Sequence, residues 1–469
     1  MNKKIIPTVI TLLLLFVSIP LHVHAQQAAD VTGTWHGVLN VQGTQLRLVF
    51  HIEQSDNRFS ATFDSPDQGV AGIPFSSATF EDSVLVLEAQ NIGAAYRAVF
   101  STDSLAGTWN QGGMNFLLNM YREVVEPTAM HRPQEPVRPY PYLEEEVSIH
   151  NQVDGITLAG TLTLPEAGGS FPVLILISGS GPQNRNQEIF GHKPFLVLAD
   201  QLTREGFAVL RYDDRGFGAS TGTFGTATTE DFAVDVLSAI DFLKDRPEID
   251  ADRIGLIGHS EGGIIAPMVS NRSDDVAHII LLAGTGIPGK EVLFIQATST
   301  REMELPNEEA YMQLVRGALD IASSDKELHI LRDELAGYLR QNETLIRSFL
   351  PAEMDMETYI QQDVAQSLSP WVRYFYNYNP AEQLETVDVP VLALFGSNDR
   401  QVTPAENLPA VEAALQRSGT NTYLVKELPG LNHMFQQSET GYVSEYNQIE
   451  QTISPLVIEE IITWINSLP

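Results

Sequence analysis

The stretch that most constrains this chain runs from 253 to 263 and reads RIGLIGHSEGG. Its apolar run Ile254–Ile257 predicts a buried strand, and a helical pattern follows from Glu261 to about Val269. The Gly-x-Ser-x-Gly between them is the sequence of a nucleophile elbow when it joins a strand to a helix. Because so sharp a turn has no room for side chains two residues before and after the serine, Gly258 and Gly262 suit it. We predict that Ser260 is an exposed nucleophile; the alternative is a glycine-rich turn in which the serine is incidental.

The residues that such a serine needs follow later in the chain. A serine is a weak nucleophile at neutral pH and requires a base, which an acid must orient. The apolar run Val389–Gly396 predicts a buried strand, and Asp399 follows its carboxyl end. After the next predicted strand, at 421–428, comes His433, and we predict that His433 is the base and Asp399 its orienting acid. The rival acids and bases, none of which follows a late strand in this chain order, are Asp213, Asp214, Asp363, His192, His259 and His329.

Backbone N–H groups are expected to bind the oxyanion that forms when Ser260 attacks a carbonyl carbon. The N–H of Glu261 lies at the predicted start of a helix, where the helix dipole favours negative charge. A second donor is expected from the glycine-rich loop after the predicted strand Pro172–Ile177. We predict the N–H of Ser180, with that of Gly179 as the alternative, although the loop can equally be a plain glycine turn.

The first 25 residues have the pattern of a secretory signal peptide. Lys3 and Lys4 form a positive start, Val9–Val17 is an apolar run, and a small-residue cleavage site ends at Ala25. The apolar run is too short for a comfortable membrane span. We therefore expect a periplasmic or secreted protein without a membrane span in the mature chain, with an uncleaved anchor as the weaker alternative.

Residues 26–122 alternate aromatic and β-branched residues with polar ones, as in LRLVFHI at 46–52, and turn signals recur at short intervals. This pattern predicts a small all-β domain, barrel- or sandwich-like. Trp35 and Trp109, near its two ends, are interpreted as core residues rather than as a repeated barrel signature. The prolines of residues 123–142 predict a stiff, extended linker.

From 143 to 469, strand patterns alternate with helical ones, which predicts an α/β domain with a mostly parallel sheet. The alternation stops at about 287–380, where charged helical segments stand between two predicted core strands; we predict an inserted helical cap. The end of this stretch is rich in aromatic residues, including Trp371, Tyr374 and Tyr376. Their side chains are predicted either to line a substrate pocket or to seat the cap on the core.

The composition of the chain narrows the classes of function. A formal net charge of −32 disfavours nucleic acid and anionic membranes as partners. The absence of cysteine excludes a cysteine nucleophile, a disulfide framework and a lipid anchor on an N-terminal cysteine. No motif in the sequence implies a metal or another cofactor.

Four motifs occur together with Asp399 and His433 in one protein family. They are LAGTL at 158–162, SGSGP at 178–182, YDDRG at 212–216 and GHSEGG at 258–263. With them the stretch 143–469 resembles secreted bacterial carboxylesterases of the α/β-hydrolase superfamily, near its serine-aminopeptidase-type branch. The resemblance implies an α/β-hydrolase fold and the hydrolysis of small-molecule carboxylic esters, with short acyl chains, through a Ser–Asp–His triad and an acyl-enzyme. It implies nothing for residues 26–122.

Two other functions fit the same sequence. A serine peptidase of the aminopeptidase type uses the same triad and needs acidic side chains to hold the substrate ammonium. Alternatively, the N-terminal domain could bind carbohydrate or the cell envelope, with the hydrolase acting on what that domain holds. Comparing the turnover of ester and anilide substrates tests the first alternative. Measuring the binding of the N-terminal domain to envelope fractions tests the second. The cap acids that suit a peptidase, or else form a solvated helix face, are Glu302, Glu304, Glu308 and Glu309.

Overall fold

The computed structural model of the protein describes most of the chain from residue 31 onward. The predicted signal peptide, 1–25, lies outside the described residues. The described ranges are 31–41, 44–56, 58–66, 70–111, 114–125, 131–166, 168–302, 305, 307–350 and 354–469.

The N-terminal domain is one antiparallel sheet of nine strands, ordered β4-β3-β2-β1-β9-β8-β7-β6-β5. All but one pair of sequential strands are neighbours, as expected when short turns connect antiparallel strands. The strands are β1 Gly33–Val41, β2 Thr44–Ser55, β3 Arg58–Ser65, β4 Val70–Pro74, β5 Ser77–Glu81, β6 Val84–Ala89, β7 Ala94–Ser101, β8 Ser104–Gln111 and β9 Met114–Tyr121.

This sheet curls until its two ends come into contact, and the ring of Phe59 on β3 lies 5.8 Å from that of Phe80 on β5. Alternate residues of each strand are buried on the enclosed side, because successive side chains of a strand point to opposite faces. Trp35 and Trp109 are 0% and 2% exposed. The Trp109 ring packs 5.7 Å from that of Phe63. The interpretation of both tryptophans as core residues is confirmed.

The described part of the predicted linker contacts the second domain. The Arg132 guanidinium donates to the carbonyl oxygens of Asn447 and Ile449, each at 2.8 Å. The Gln134 side chain accepts the N–H of Thr452 at 2.6 Å. The linker is therefore held by specific hydrogen bonds to the segment 447–453.

The second domain is built on a sheet of eight strands, ordered β10-β11-β13-β12-β14-β15-β16-β17. The pairs from β13 to β17 are parallel, and β10 and β11 add an antiparallel edge. Central strands such as β16 are buried along their whole length, as expected where helices cover both faces. The strands are β10 Tyr142–Asn151, β11 Ile156–Pro165, β12 Phe171–Ile177, β13 Ala208–Tyr212, β14 Ile249–His259, β15 Val276–Leu282, β16 Val391–Gly396 and β17 Tyr423–Leu428.

Helices pack around this sheet, and α4–α10 stand together between β15 and β16 as an insertion. The insertion has a hydrophobic core of its own, which includes Leu331, Leu335 and Ile360. The helices are α1 Pro194–Arg204, α2 Thr229–Lys244, α3 Gly262–Ser270, α4 Gly289–Ser299, α5 Glu308–Ala322, α6 Leu328–Gln341, α7 Glu343–Arg347, α8 Met356–Ser367, α9 Pro370–Tyr376, α10 Pro380–Leu384, α11 Pro404–Leu415, α12 Val443–Tyr446 and α13 Pro455–Ser467.

The predicted fold class is confirmed: an all-β domain precedes an α/β domain whose mostly parallel sheet carries a helical cap insertion. One boundary differs from the sequence pattern, which predicts a closing helix over 449–468. The helix α13 begins at Pro455, because proline is favoured at the first helical position and the residues before it bond to the linker. Across the described ranges, no helix combines the length and apolar character needed to cross a membrane.

The packing of the N-terminal domain predicts the effect of Trp109→Ala. Removing a fully buried indole leaves a cavity among the surrounding rings and should lower the local opening free energy by about 3–5 kcal/mol. Native-state hydrogen exchange of peptides from β2, β3 and β8, followed by mass spectrometry, measures that energy. Leu117→Ala is the matched control, because Leu117 on the adjacent strand is 73% exposed and its loss should change the energy by less than about 0.5 kcal/mol. Equal effects of the two substitutions would contradict the prediction.

Candidate active site

The predicted elbow lies at the carboxyl end of β14, directly before α3. Ser260 has a φ of +54°, a left-handed conformation that is strained for a residue with a side chain. Its N–H donates to the carbonyl oxygen of Leu282 at 2.8 Å. A Cβ atom on Gly258 would lie 1.9 Å from the carbonyl oxygen of Gly262, and one on Gly262 would lie 2.2 Å from that of Ile177. The close backbone packing therefore requires glycine at both positions and fixes the serine at the turn.

Asp399 and His433 come together at the same edge of the sheet. They follow β16 and β17, which are neighbouring parallel strands. His433 Nδ1 lies 2.8 Å from Asp399 Oδ2, and both side chains are buried. The other carboxylate oxygen accepts the N–H groups of Gln401 at 2.8 Å and Val402 at 2.9 Å. These bonds fix the carboxylate, and they leave Nε2 as the ring nitrogen of His433 that can exchange a proton with a substrate or nucleophile.

His259, the residue before the serine, supports the backbone of His433. Its Nε2 lies 2.9 Å from the His433 carbonyl oxygen, and its Nδ1 lies 2.6 Å from the Gln187 side-chain nitrogen. Because a carbonyl oxygen only accepts, the proton is on Nε2 and Nδ1 accepts from the amide. Burial lowers the pKa of His259 to about 3, so the ring is neutral at neutral pH. Both nitrogens are engaged, and His259 is a structural support rather than a rival base.

The loop that follows β12, at 178–182, passes beside the serine, since β12 and β14 are neighbours in the sheet. A Cβ atom on Gly179 would lie 3.2 Å from the Cβ of Ser260. Ser180, the next residue, is exposed to solvent. The predicted donor loop is therefore close to the predicted nucleophile. Which of its N–H groups binds an oxyanion stays a prediction.

Asp214 holds both ends of this loop. One of its carboxylate oxygens accepts the Ser178 hydroxyl at 2.7 Å, and the other accepts the N–H of Gln183 at 2.8 Å. Burial raises the pKa of Asp214 to about 7, and the nearby Glu261 and Asp235 carboxylates contribute to the rise. Sequence reasoning treats Asp214 as a rival acid that, with Asp213, organises the turn at 215–218, and it does not predict the contact with this loop. The signal that could have indicated this contact was the position of Asp214 directly after β13, the strand next to β12.

Glu261, the residue after the serine, carries a buried carboxylate. Its Oε1 accepts the Thr229 hydroxyl and the Trp371 indole N–H, each at 2.7 Å. Thr229 begins α2 and Trp371 lies in α9, so this carboxylate joins the elbow to the core and to the cap. No lysine or arginine within the described ranges pairs with it, and burial raises its pKa despite the two hydrogen bonds.

The three aromatic residues predicted for a pocket have different surroundings. Trp371 is bonded to the elbow carboxylate and stacks on Phe375 at a ring distance of 5.1 Å. Tyr374 stacks on Tyr378 at 5.8 Å, and Tyr376 is buried in the core of the cap. These contacts agree with the interpretation that the aromatic residues seat the cap. A pocket-lining role for them stays a prediction.

The remaining rival acids and bases have other environments. Asp213 pairs with Arg185 at 2.9 Å. Burial lowers the pKa of His192 to about 4, and burial within the cap raises the pKa of Asp363 to about 6. His329 is an exposed residue of α6. In the part of the chain that the structure describes, no group of three or more His, Asp or Glu side chains could hold a metal ion.

Comparison with known proteins relates this site to a family. Residues 174–445 match the Alpha/beta hydrolase family. Esterase EstD of Thermotoga maritima is 26% identical over 334 residues, which cover 70% of this chain and 69% of that protein. An uncharacterized 31.7 kDa protein of Escherichia coli is 28% identical over 277 residues, which cover 59% of this chain and 87% of that protein. Among solved structures, the Pyrococcus furiosus esterase Pf2001 aligns with a TM-score of 0.42 at 15% identity, covering 73% of this chain and 97% of its own.

Replacing Asp214 by Asn is expected to change the pH dependence of stability. The pKa of Asp214 is about 7 in the folded protein, against 3.8 for an unperturbed aspartate. Between these two pH values the Asp214 carboxyl group is mostly protonated in the folded protein and mostly ionised in the unfolded protein. The stability that this carboxyl group contributes is therefore complete below pH 3.8 and is lost as the pH rises to 7. The unfolding free energy of the wild type minus that of Asp214→Asn should fall by up to about 1.4 kcal/mol per pH unit over this range.

Urea unfolding of both proteins across that range measures the difference, and Asp213→Asn is the matched control. Although burial opposes the shift, hydrogen bonds from Arg185 lower the pKa of Asp213 below 3.8. Stability from Asp213 is consequently lost only at more acidic pH, and the difference for the control should be constant over the same range. A constant difference for Asp214→Asn as well would show that Asp214 is ionised throughout.

Proposed function

Because the chain belongs to the alpha/beta hydrolase family, we propose that it is a serine hydrolase that cleaves carboxylic esters. The observation that carries the proposal is the bond of 2.8 Å between His433 Nδ1 and Asp399 Oδ2, at the sheet edge that also carries the elbow of Ser260. A serine nucleophile needs such a pair, since a base must take its proton and an acid must orient the base. The similarity to a protein named an esterase supports esters as the substrate class.

In the proposed reaction, His433 Nε2 takes the proton of Ser260 as the serine oxygen attacks the ester carbonyl carbon. Through its bond to Nδ1, Asp399 stabilises the imidazolium that forms. When the tetrahedral intermediate collapses, the proton passes from His433 to the leaving alcohol, and the acyl group stays on Ser260. Water, deprotonated by the same base, then attacks the acyl-enzyme and releases the acid.

The oxyanion of each tetrahedral intermediate is assigned to backbone N–H groups. One is that of Glu261, beside the N-terminus of α3, where the helix dipole favours negative charge. The second is that of Ser180, with Gly179 as the alternative. Asp214 acts as a positioning residue for this second donor, because its carboxylate fixes both ends of the loop that carries it. One such donor is typically worth about 10²–10³ in turnover.

The finer assignments rest on the sequence. Short acyl chains are proposed as the preferred acid part of the substrate, by resemblance to bacterial carboxylesterases. Secretion or a periplasmic location is proposed from the pattern of residues 1–25, with the mature chain starting near Gln26. Contact of the N-terminal domain with carbohydrate or the cell envelope is a further proposal.

Ser260→Ala should abolish covalent labelling by a fluorophosphonate and lower p-nitrophenyl ester turnover by about 10⁴- to 10⁶-fold, because the nucleophile is lost. Peptide mapping by mass spectrometry should locate the label on Ser260 in the wild type. Asp399→Asn should lower turnover by about 10⁴-fold, since it leaves the histidine in the wrong tautomer.

Ser180→Ala is the matched control for these variants. It removes a hydroxyl from the loop beside the nucleophile and keeps the backbone N–H assigned to the oxyanion, so turnover should stay within about threefold of the wild type. Label on another residue, or full turnover by Ser260→Ala, would refute Ser260 as the nucleophile.

The peptidase alternative predicts a different substrate preference. Comparison of p-nitrophenyl acetate with amino-acid p-nitroanilides measures ester against amide cleavage by the same wild-type protein. An esterase should cleave the acetate ester and show little anilide turnover, and an acyl series from acetate to decanoate should favour the short members. Rapid anilide cleavage with negligible esterolysis would instead establish a peptidase.

A further inference from the structure

A groove on the cap is lined by none of the proposed catalytic residues. It has a volume of about 790 Å³ and is lined by residues of α6, α8 and α9, by the segment between α8 and α9, and by Gly225 of the core. Ile360, Val364 and Leu368 are buried in its floor. Small-molecule sites commonly have volumes of about 300–1,000 Å³ and mostly apolar linings. The groove therefore has the size and the lining of a ligand site.

Three arginines line this groove, together with two acids. Arg340 donates to the Glu357 carboxylate at 2.6 and 3.1 Å. Arg332 and Arg373 have no carboxylate within ion-pair distance among the described side chains. Asp333 is the other acid of the lining. Three guanidiniums against two carboxylates leave the groove with one net positive charge.

Arginines without an acidic partner are the minority among the described residues, since acidic residues outnumber lysine and arginine by 60 to 28. Most of the described lysines and arginines are in ion pairs, even on exposed surfaces. Two unpaired guanidiniums on one apolar groove are thus a local exception. A guanidinium presents a planar fork that binds a carboxylate through two parallel hydrogen bonds.

We propose that this groove binds a free aliphatic carboxylate of medium or long chain, at a site distinct from Ser260. The alkyl chain lies on the apolar floor, and the carboxylate pairs with the unpaired guanidinium of Arg332 or Arg373. A single net positive charge matches a monoanion better than a dianion such as a phosphate monoester. The apolar floor selects an alkyl chain over a small anion such as acetate.

The site goes beyond ester hydrolysis and does not depend on the chemistry proposed at Ser260. It is nevertheless connected to the elbow through one helix. In α9, Arg373 lines the groove, and Trp371 donates to the Glu261 carboxylate. A ligand in the groove therefore contacts the helix that also anchors the residue after the nucleophile.

Isothermal titration of the full chain with sodium decanoate, below its micelle concentration, tests the proposal. The wild type should bind decanoate, and decanol and acetate should each bind at least tenfold more weakly. Arg332→Gln/Arg373→Gln should weaken decanoate binding at least tenfold, because both guanidiniums lose their charge. Ala365→Trp should weaken it similarly with all charges retained, since Ala365 lines the groove and an indole there fills it.

Arg58→Gln/Arg97→Gln is the matched control. Both arginines are exposed on the N-terminal domain, so this double substitution removes two positive charges, as the groove variant does, but outside the groove. This control should bind decanoate as the wild type does. The groove variants should keep the far-UV circular dichroism and the cooperative thermal unfolding of the wild type, which shows that they fold. No binding to the wild type, binding that persists in both groove variants, or decanol binding as tight as that of decanoate would each overturn the proposal.

Discussion

The close approach of backbones at the elbow is the constraint on which the rest of the structure depends. A Cβ atom on Gly263 would lie 2.6 Å from the Cα of Gly284, in addition to the clashes at Gly258 and Gly262. The strand β14, the helix α3 and the ends of their neighbours therefore pack without side chains between them. Strain of the kind seen at Ser260 typically costs about 1–3 kcal/mol, and it persists only where the surrounding structure over-determines it. Here the buried parallel sheet does so, and the same packing brings the loop after β12 to the serine.

A second property of the site is the burial of two acidic side chains. Asp214 and Glu261 are both buried near the elbow, and burial raises the pKa of each. Two ionised carboxylates in this position would oppose an oxyanion developing at the neighbouring N–H groups. The raised pKa values shift both groups toward the neutral form, which lessens that repulsion. Both acids also anchor their neighbours, Asp214 the loop at 178–182 and Glu261 the cap helix α9.

Much of the fold and the main features of the site could be predicted from local sequence. The elbow is predictable because Gly258 packs against Gly262, only four residues later, and the spacing of the motif encodes this local contact. Asp399 and His433 are predictable because carboxyl ends of parallel strands meet at one sheet edge. The supporting contacts were not predictable. Asp214 meets Ser178 across 36 residues, and His259 meets the His433 carbonyl across 174, through neighbours that only the folded sheet defines. The start of α13 was missed for the same reason, since distant linker residues engage the segment before it.

The packing of the N-terminal domain limits where a ligand could bind to it. The described strands enclose a core that aromatic rings fill, with centroid distances of 5.1 to 6.4 Å between Phe50 and its neighbours. A ligand that entered this core would have to displace buried rings. The outer face of the described strands is open to solvent, and on it Val99 and Leu117 are 56% and 73% exposed. An outer face binds by surface complementarity rather than enclosure, so substitutions there can test binding without disturbing the core.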